Sequence, residues 1–170
     1  MPSPMLYIFS GLPGTGKSTI AIRLAQHTGA TYLRIDTVEQ GIRDVLKMAP
    51  EYEGYQLTHR IAGENLAIGN SAVVDSCNPL QITRTDWQSV AVQNNAAFVN
   101  IEIRCSDEAE HRHRIETRRS PIPNLQLPTW KQVKEREYHD WIEEHIAIDT
   151  AHCTIDQALN TLLLKLRHRG

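Results

Sequence analysis

Gly11-Leu12-Pro13-Gly14-Thr15-Gly16-Lys17-Ser18 fits the pattern GxxxxGK[ST] without a mismatch. These residue types in this order suit one chemistry, the cradling of a polyphosphate. Glycines let backbone N–H groups turn inward where a Cβ would block the approach. A helix beginning at Lys17 adds the partial positive charge of its N-terminus. Lys17 is placed to bridge β- and γ-phosphates, and the Ser18 hydroxyl to hold Mg²⁺. Thr19 extends the phosphate-contacting set into the helix.

Two carboxylates downstream have the right types for the rest of a phosphoryl transfer. Asp36 ends an expected second strand, and it reads either as a helix N-cap or as a proton acceptor. Thr37 and Gln40 form a T-x-x-Q capping box, which frees the Asp36 carboxylate to point over the strand ends. A carboxylate there could take the proton of an attacking hydroxyl. Asp75 follows Ala72-Val73-Val74 and reads either as a metal-holding acid acting through water or as a turn residue beside Asn78 and Pro79. Ser76 stands where a dedicated P-loop hydrolase usually carries a water-activating Glu, which tilts the reading away from an ATP-driven motor.

Cations crowd a later helix. Arg112, Arg114, Arg118 and Arg119 precede a loop with prolines at 121, 123 and 128. Arg114 and Arg118, at i and i+4, share a face. The group reads either as a solvated face paired with Glu108, Glu110 and Glu116 or as a lid over the transferred phosphoryl group. Arg43, Tyr55 and His59 fall in the stretch expected to border an acceptor pocket. His111 and His113 diverge by about 200° on a helix, so they do not share a metal. Trp87, Trp130 and Trp141 read as packing anchors.

The elements that must position these residues alternate in type. Short apolar strands are expected at 5–10, 31–35, 72–74, 97–104 and 146–148. Helices are expected at 17–27, 37–48, 55–68, 85–94, 107–119, 129–144 and 154–168. That order implies an α/β fold, a five-stranded parallel sheet with helices on both faces. The length of 170 residues suits one domain, 1–170, with a lid at about 107–130. Eighteen basic and 20 acidic residues leave a net charge of −2, which argues against a nucleic-acid-coating protein. No apolar run reaches the ~18 residues of a membrane span, and Met-Pro-Ser-Pro-Met lacks the basic start of a signal peptide. Cys77, Cys105 and Cys153 are odd in number and widely spaced, as suits a reducing cytoplasm.

GLPGTGKS at 11–18, RIDT at 34–37, VVDSCNP at 73–79 and CSDEAEHRHRIETR at 105–118 together resemble the small P-loop kinase-like ATPases of the AAA_33 or zeta-toxin-like group. LPTWKQV at 127–133 and IDTA at 148–151 continue the resemblance over nearly the whole chain. Gluconate kinase, shikimate kinase, chloramphenicol phosphotransferase, polynucleotide 5′-kinase and zeta toxin share that fold. The resemblance implies ATP with Mg²⁺, a base at Asp36, lid arginines at Arg114 and Arg118, and adenine bordered near Thr150 and Ala151. It points to a kinase of a small hydroxylated acceptor. A kinase of nucleic-acid ends or nucleotide sugars, and a nucleotide-gated regulatory or toxin–antitoxin component, stay open beside it.

Overall fold

A computed structural model describes residues 3–168. The first two residues of the Met-Pro-Ser-Pro-Met start and the last two of the expected 1–170 domain lie outside the described residues. All five strands are parallel, in the order β2-β3-β1-β4-β5. They are β1 (Met5–Ser10), β2 (Thr31–Arg34), β3 (Ala72–Asp75), β4 (Ala97–Arg104) and β5 (Ile146–Asp149). The α/β architecture expected from the alternating pattern is therefore the one observed.

The central strands carry apolar side chains on both faces because both faces are covered. On β1, Leu6 and Ile8 point one way and Phe9 the other. Phe9, Val73 and Ile101 pack under α1 (Lys17–Thr28) and α7 (Ile155–Arg167), through Ile20, Leu24 and Leu162. Leu6, Ile8 and Val74 pack under α3 (Glu53–Ala67) and α4 (Gln81–Gln93), through Leu66 and Trp87. Both layers leave the C-terminal ends of β1, β2 and β3 open at one edge, where ligands bind in such sheets. No helix among the described residues is long and apolar enough to cross a membrane. The three cysteines are free.

The structure corrects two local expectations. The helix α2 (Ile35–Leu46) begins two residues early, directly off β2, with Arg34 at its N-cap and no side-chain cap. Thr37 therefore lies inside the helix and makes no capping box with Gln40. With no loop between strand and helix, the cap position falls before any residue able to fill it. The same T-x-x-Q signature does form complete boxes at Thr129–Gln132 and Thr154–Gln157, where a loop leads into α6 (Trp130–Lys134) and α7.

The second correction concerns 129–144, expected as one helix. Only α6 forms, and residues 137–145 run irregularly across the back of α4. Arg84 anchors this irregular segment to α4. Its guanidinium is fully buried and donates to the carbonyl oxygens of Asn78 (3.0 Å), His139 (2.8 Å) and Asp140 (3.3 Å). The Trp141 ring centroid lies 4.0 Å from its central carbon. Replacing Arg84 by Met should keep the stem's packing but leave these acceptors buried and unpaired. The expected loss is about 2–3 kcal/mol in urea unfolding, with weakened protection of residues 137–145 in hydrogen exchange.

Candidate active site

The loop from Gly11 to Gly16 joins β1 to α1 and takes positive φ at Gly11 (+141°), Gly14 (+81°) and Gly16 (+90°). Those values suit glycine and turn the backbone into a cradle. A Cβ on Gly11 would sit 2.2 Å from the Ile103 carbonyl oxygen, and one on Gly14 2.5 Å from Ile115 Cδ1. The loop is also pinned from outside. Gly11 N–H donates to Cys77 O at 3.1 Å, His111 Nε2 pairs with Pro13 O at 2.8 Å, and Thr15 Oγ1 donates to Leu12 O at 3.0 Å. Leu12, Pro13, Lys17, Ser18 and Thr19 line a cleft of about 930 Å³, while Thr15 is buried behind it.

Lys17 Nζ reaches Asp75 Oδ1 at 2.6 Å, and the Tyr32 hydroxyl donates to Oδ2 at 2.7 Å. Burial pushes the Asp75 carboxyl up. The Lys17 ammonium, with the hydroxyls of Ser18 and Tyr32, outweighs burial and holds it below its ordinary value. A depressed carboxylate stabilises the fold above its unfolded pKa of about 3.9, and that gain is lost as pH falls through the lower folded value. Asp75→Asn should therefore cost about 2 kcal/mol at neutral pH, less than a sealed ion pair because Lys17 borders the cleft. The difference from wild type should shrink below pH ~4, read by urea unfolding at several pH values.

Across the cleft, Asp36 stands in the first turn of α2 with its side chain 51% exposed, 3.3 Å from Arg34 Nη2. It makes no cap bond. Arg43 also lines the cleft and lies 3.6 Å from Glu39. The expected pairing of Arg114 with Arg118 on one face does not occur. The helix α5 (Glu108–Thr117) ends one residue before Arg118, whose backbone is extended. Arg114 turns inward to Thr150 Oγ1 (2.8 Å), Thr150 O (2.9 Å) and Thr15 O (3.5 Å), with Glu110 also on its guanidinium. Arg118 faces the Asp36 side instead. Burial lowers its pKa, Asp36 raises it, and Arg34 and Arg136 lower it further. Arg112 is a solvated-face residue, paired with Glu116 at 2.8 Å.

Past α5 the chain crosses the mouth of the cleft. Pro121, Leu125, Leu127 and Pro128 line it, and Asn124 Nδ2 touches Asp44 Oδ2 of α2 at 3.3 Å. Trp130 packs edge-on to His111 with ring centroids 5.2 Å apart, so this crossing segment is tied back to the glycine loop.

An AAA-domain pattern matches residues 6–137, which takes in the glycine loop, both carboxylates and the crossing segment. The chain belongs to the AAA_33 family. Three solved structures show the breadth of folds similar to this AAA_33 chain. A sugar kinase from Janibacter sp. HTCC2649 is 16% identical, with 98% of this chain and 95% of that one covered at a TM-score of 0.68. The gluconokinase of Sinorhizobium meliloti 1021 is 17% identical, with 100% and 99% covered at 0.65. The APS kinase of Mycobacterium tuberculosis, in complex with AMPPNP and APS, is 16% identical, with 98% and 99% covered at 0.66. At such identities the likeness is one of fold. No curated protein matches the sequence.

Several residues of this AAA_33 domain fall elsewhere than the sequence suggested. Tyr55 and His59 do not line the cleft. Tyr55 stacks on Tyr52 at 5.5 Å, and His59 packs edge-on to Trp87 at 4.2 Å. Burial pushes His59 toward its neutral form, with Asp86 opposing, as befits a packing residue. Thr150 is buried, donating to Thr15 O at 2.7 Å beneath the loop, while Cys153, Thr154 and Ile155 line that end of the cleft. Arg34 and Arg136 line it too and were not singled out by the sequence. Arg34 sits one residue before the expected strand end, a position that signals nothing by itself. Arg136 lies in the stretch expected as a polar helix at 129–144, among several other charged residues that give no signal to single it out. Among the described residues, no group of three or more His, Cys, Asp or Glu could hold a metal.

Proposed function

We propose that this protein is an ATP-dependent phosphotransferase that moves the γ-phosphoryl group of MgATP to a hydroxyl of a small acceptor. The observation that carries the reading is a glycine cradle with Lys17 and an uncapped, half-exposed carboxylate, Asp36, lining one cleft. The cradle suits a polyphosphate because positive φ at Gly11, Gly14 and Gly16 curls the backbone so that N–H groups can face one anion. Lys17 exchanges Asp75 for the β- and γ-oxygens. Arg114, fixed between Thr15 and Thr150 and paired with Glu110, holds the loop in shape. Asp36 accepts the proton of the acceptor hydroxyl as its oxygen bonds to the γ-phosphorus and the bond to the ADP oxygen breaks.

Mg²⁺, when bound, would neutralise phosphate charge. The Ser18 hydroxyl and, through water, the Asp75 carboxylate are the oxygen donors suited to it. The crossing segment at 118–129 serves as a lid that keeps water from the transferred group. The AMPPNP in the similar APS kinase structure, and the sugar and gluconate kinases beside it, support the reading.

The test is incubation of purified protein with γ-labelled MgATP and a fractionated metabolite extract, beside Lys17→Ala. Label should pass to a small molecule with wild type and fall at least about 10²-fold with the variant. Nucleotide binding with no label transferred from any fraction would overturn it.

A further inference from the structure

Arg34, Arg118 and Arg136 come from the end of β2, the end of α5 and the turn after α6, and all three line the cleft on the Asp36 side. Their charges are mutually felt. Arg34 and Arg136 both weaken Arg118's hold on its proton, which burial has already lowered. Little on the protein neutralises them. Asp36 is the carboxylate against Arg34, at 3.3 Å. Glu39 is taken by Arg43, and Asp75 by Lys17 and Tyr32. Arg34 Nε lies 3.8 Å from Asp75 Oδ2, too far to donate. Arg34 Nε and Arg118 Nε are both buried with no hydrogen-bond partner.

Donors desolvated and unpaired in this way are costly unless something accepts from them. The cluster lines the Asp36 side of the cleft and meets the phosphate-binding loop only through Asp75, which both Arg34 and Lys17 approach, while Arg114 stands at the loop's own edge. Three guanidiniums against one carboxylate leave about two positive charges, the complement of a phosphomonoester at neutral pH. Guanidinium forks match phosphate oxygens in pairs, a fit that ammonium groups do not offer.

We propose that Arg34, Arg118 and Arg136 form a binding site for a phosphomonoester group on the acceptor, so that the hydroxyl presented to Asp36 belongs to an already phosphorylated small molecule. The proposal rests on the phosphotransferase reading above and names its acceptor class. Arg118 faces this site from the end of α5, and Arg136 from the turn after α6.

The test holds the protein saturated with MgAMPPNP, so that the glycine loop is closed to free anions, and titrates inorganic phosphate by calorimetry at constant ionic strength. Arg136→Gln is the main variant, because Arg136 is exposed and its loss spares the core. Arg34→Gln is the second. Phosphate should bind saturably. Each Gln variant should weaken it at least about tenfold, with Arg136→Lys in between, and acetate should bind at least about tenfold more weakly. Phosphate binding no tighter than acetate, or unchanged in Arg136→Gln, overturns the site. Label passing from MgATP to an acceptor without a phosphate group overturns this proposal alone. Phosphate binding as expected, with no label transferred to any acceptor, overturns the transfer reading and leaves the anion site standing.

Discussion

Asp36→Asn should lower kcat for phosphoryl transfer by about 10²–10⁴-fold while leaving MgATP affinity within about twofold. The substitution keeps side-chain volume, and the amide oxygen can still accept from Arg34, 3.3 Å away in the wild type. What it removes is the ability to take a proton. Asp36 makes no cap bond, so the fold loses the attraction of its half-exposed charge to the first turn of α2 and to Arg34, about 1 kcal/mol in all. Nucleotide affinity is set on the other wall, by the glycine loop and Lys17, and should not respond. The measurement pairs a fluorescent-nucleotide competition assay with label transfer to the identified acceptor. Transfer persisting at the wild-type rate would move the base to Glu39, the other carboxylate lining the cleft. Loss of both transfer and binding would mean that α2 had shifted, and a helical signal compared with wild type would show it.

The glycine loop was legible because its chemistry is local. The residues that carry its motif lie within one strand–turn–helix, although Cys77, His111 and Arg114 brace the loop from outside. The parallel sheet was legible for a related reason. Strands such as Ala72–Asp75, buried on both faces, announce themselves as continuous apolar runs between helical periods. Residues whose roles depend on distant partners were not legible. Arg84 looks like any polar residue of an amphipathic helix, yet it anchors residues 137–145 by capturing their carbonyls. Arg114 and Arg118 share a helical spacing, but the chain leaves the helix at Thr117, and that one residue sends them to opposite halves of the cleft. Capping shows the same limit. Three T-x-x-Q signatures lie near observed helix starts, a fourth, Thr85–Gln88, falling inside α4. The two preceded by a loop are used, and the one preceded by a strand that passes straight into its helix is not.

Gly11→Ala should be the most damaging single substitution in the loop, costing about 4 kcal/mol of stability and most of the nucleotide affinity. Two penalties coincide there. At φ +141° an L-residue is strained whatever the space around it, and the new Cβ would fall 2.2 Å from the Ile103 carbonyl oxygen. That oxygen belongs to β4, the immediate neighbour of β1, and its strand is fixed between β1 and β5. Relief must come from the loop, which would swing away from the sheet and break the Gly11 N–H bond to Cys77 O. Gly14→Ala offers the control. Its Cβ would also be crowded, at 2.5 Å, but by the Cδ1 end of Ile115, a side chain that can change rotamer at about 1 kcal/mol. Its φ of +81° adds strain of about 1–2 kcal/mol. Gly14→Ala should thus lose about half as much stability and displace α5 rather than the loop. Urea unfolding of both variants, with hydrogen exchange at β4 and α5, reads the two walls separately. Equal losses in the two variants would mean that the β4 wall yields as readily as α5, contrary to a loop seated on a rigid sheet.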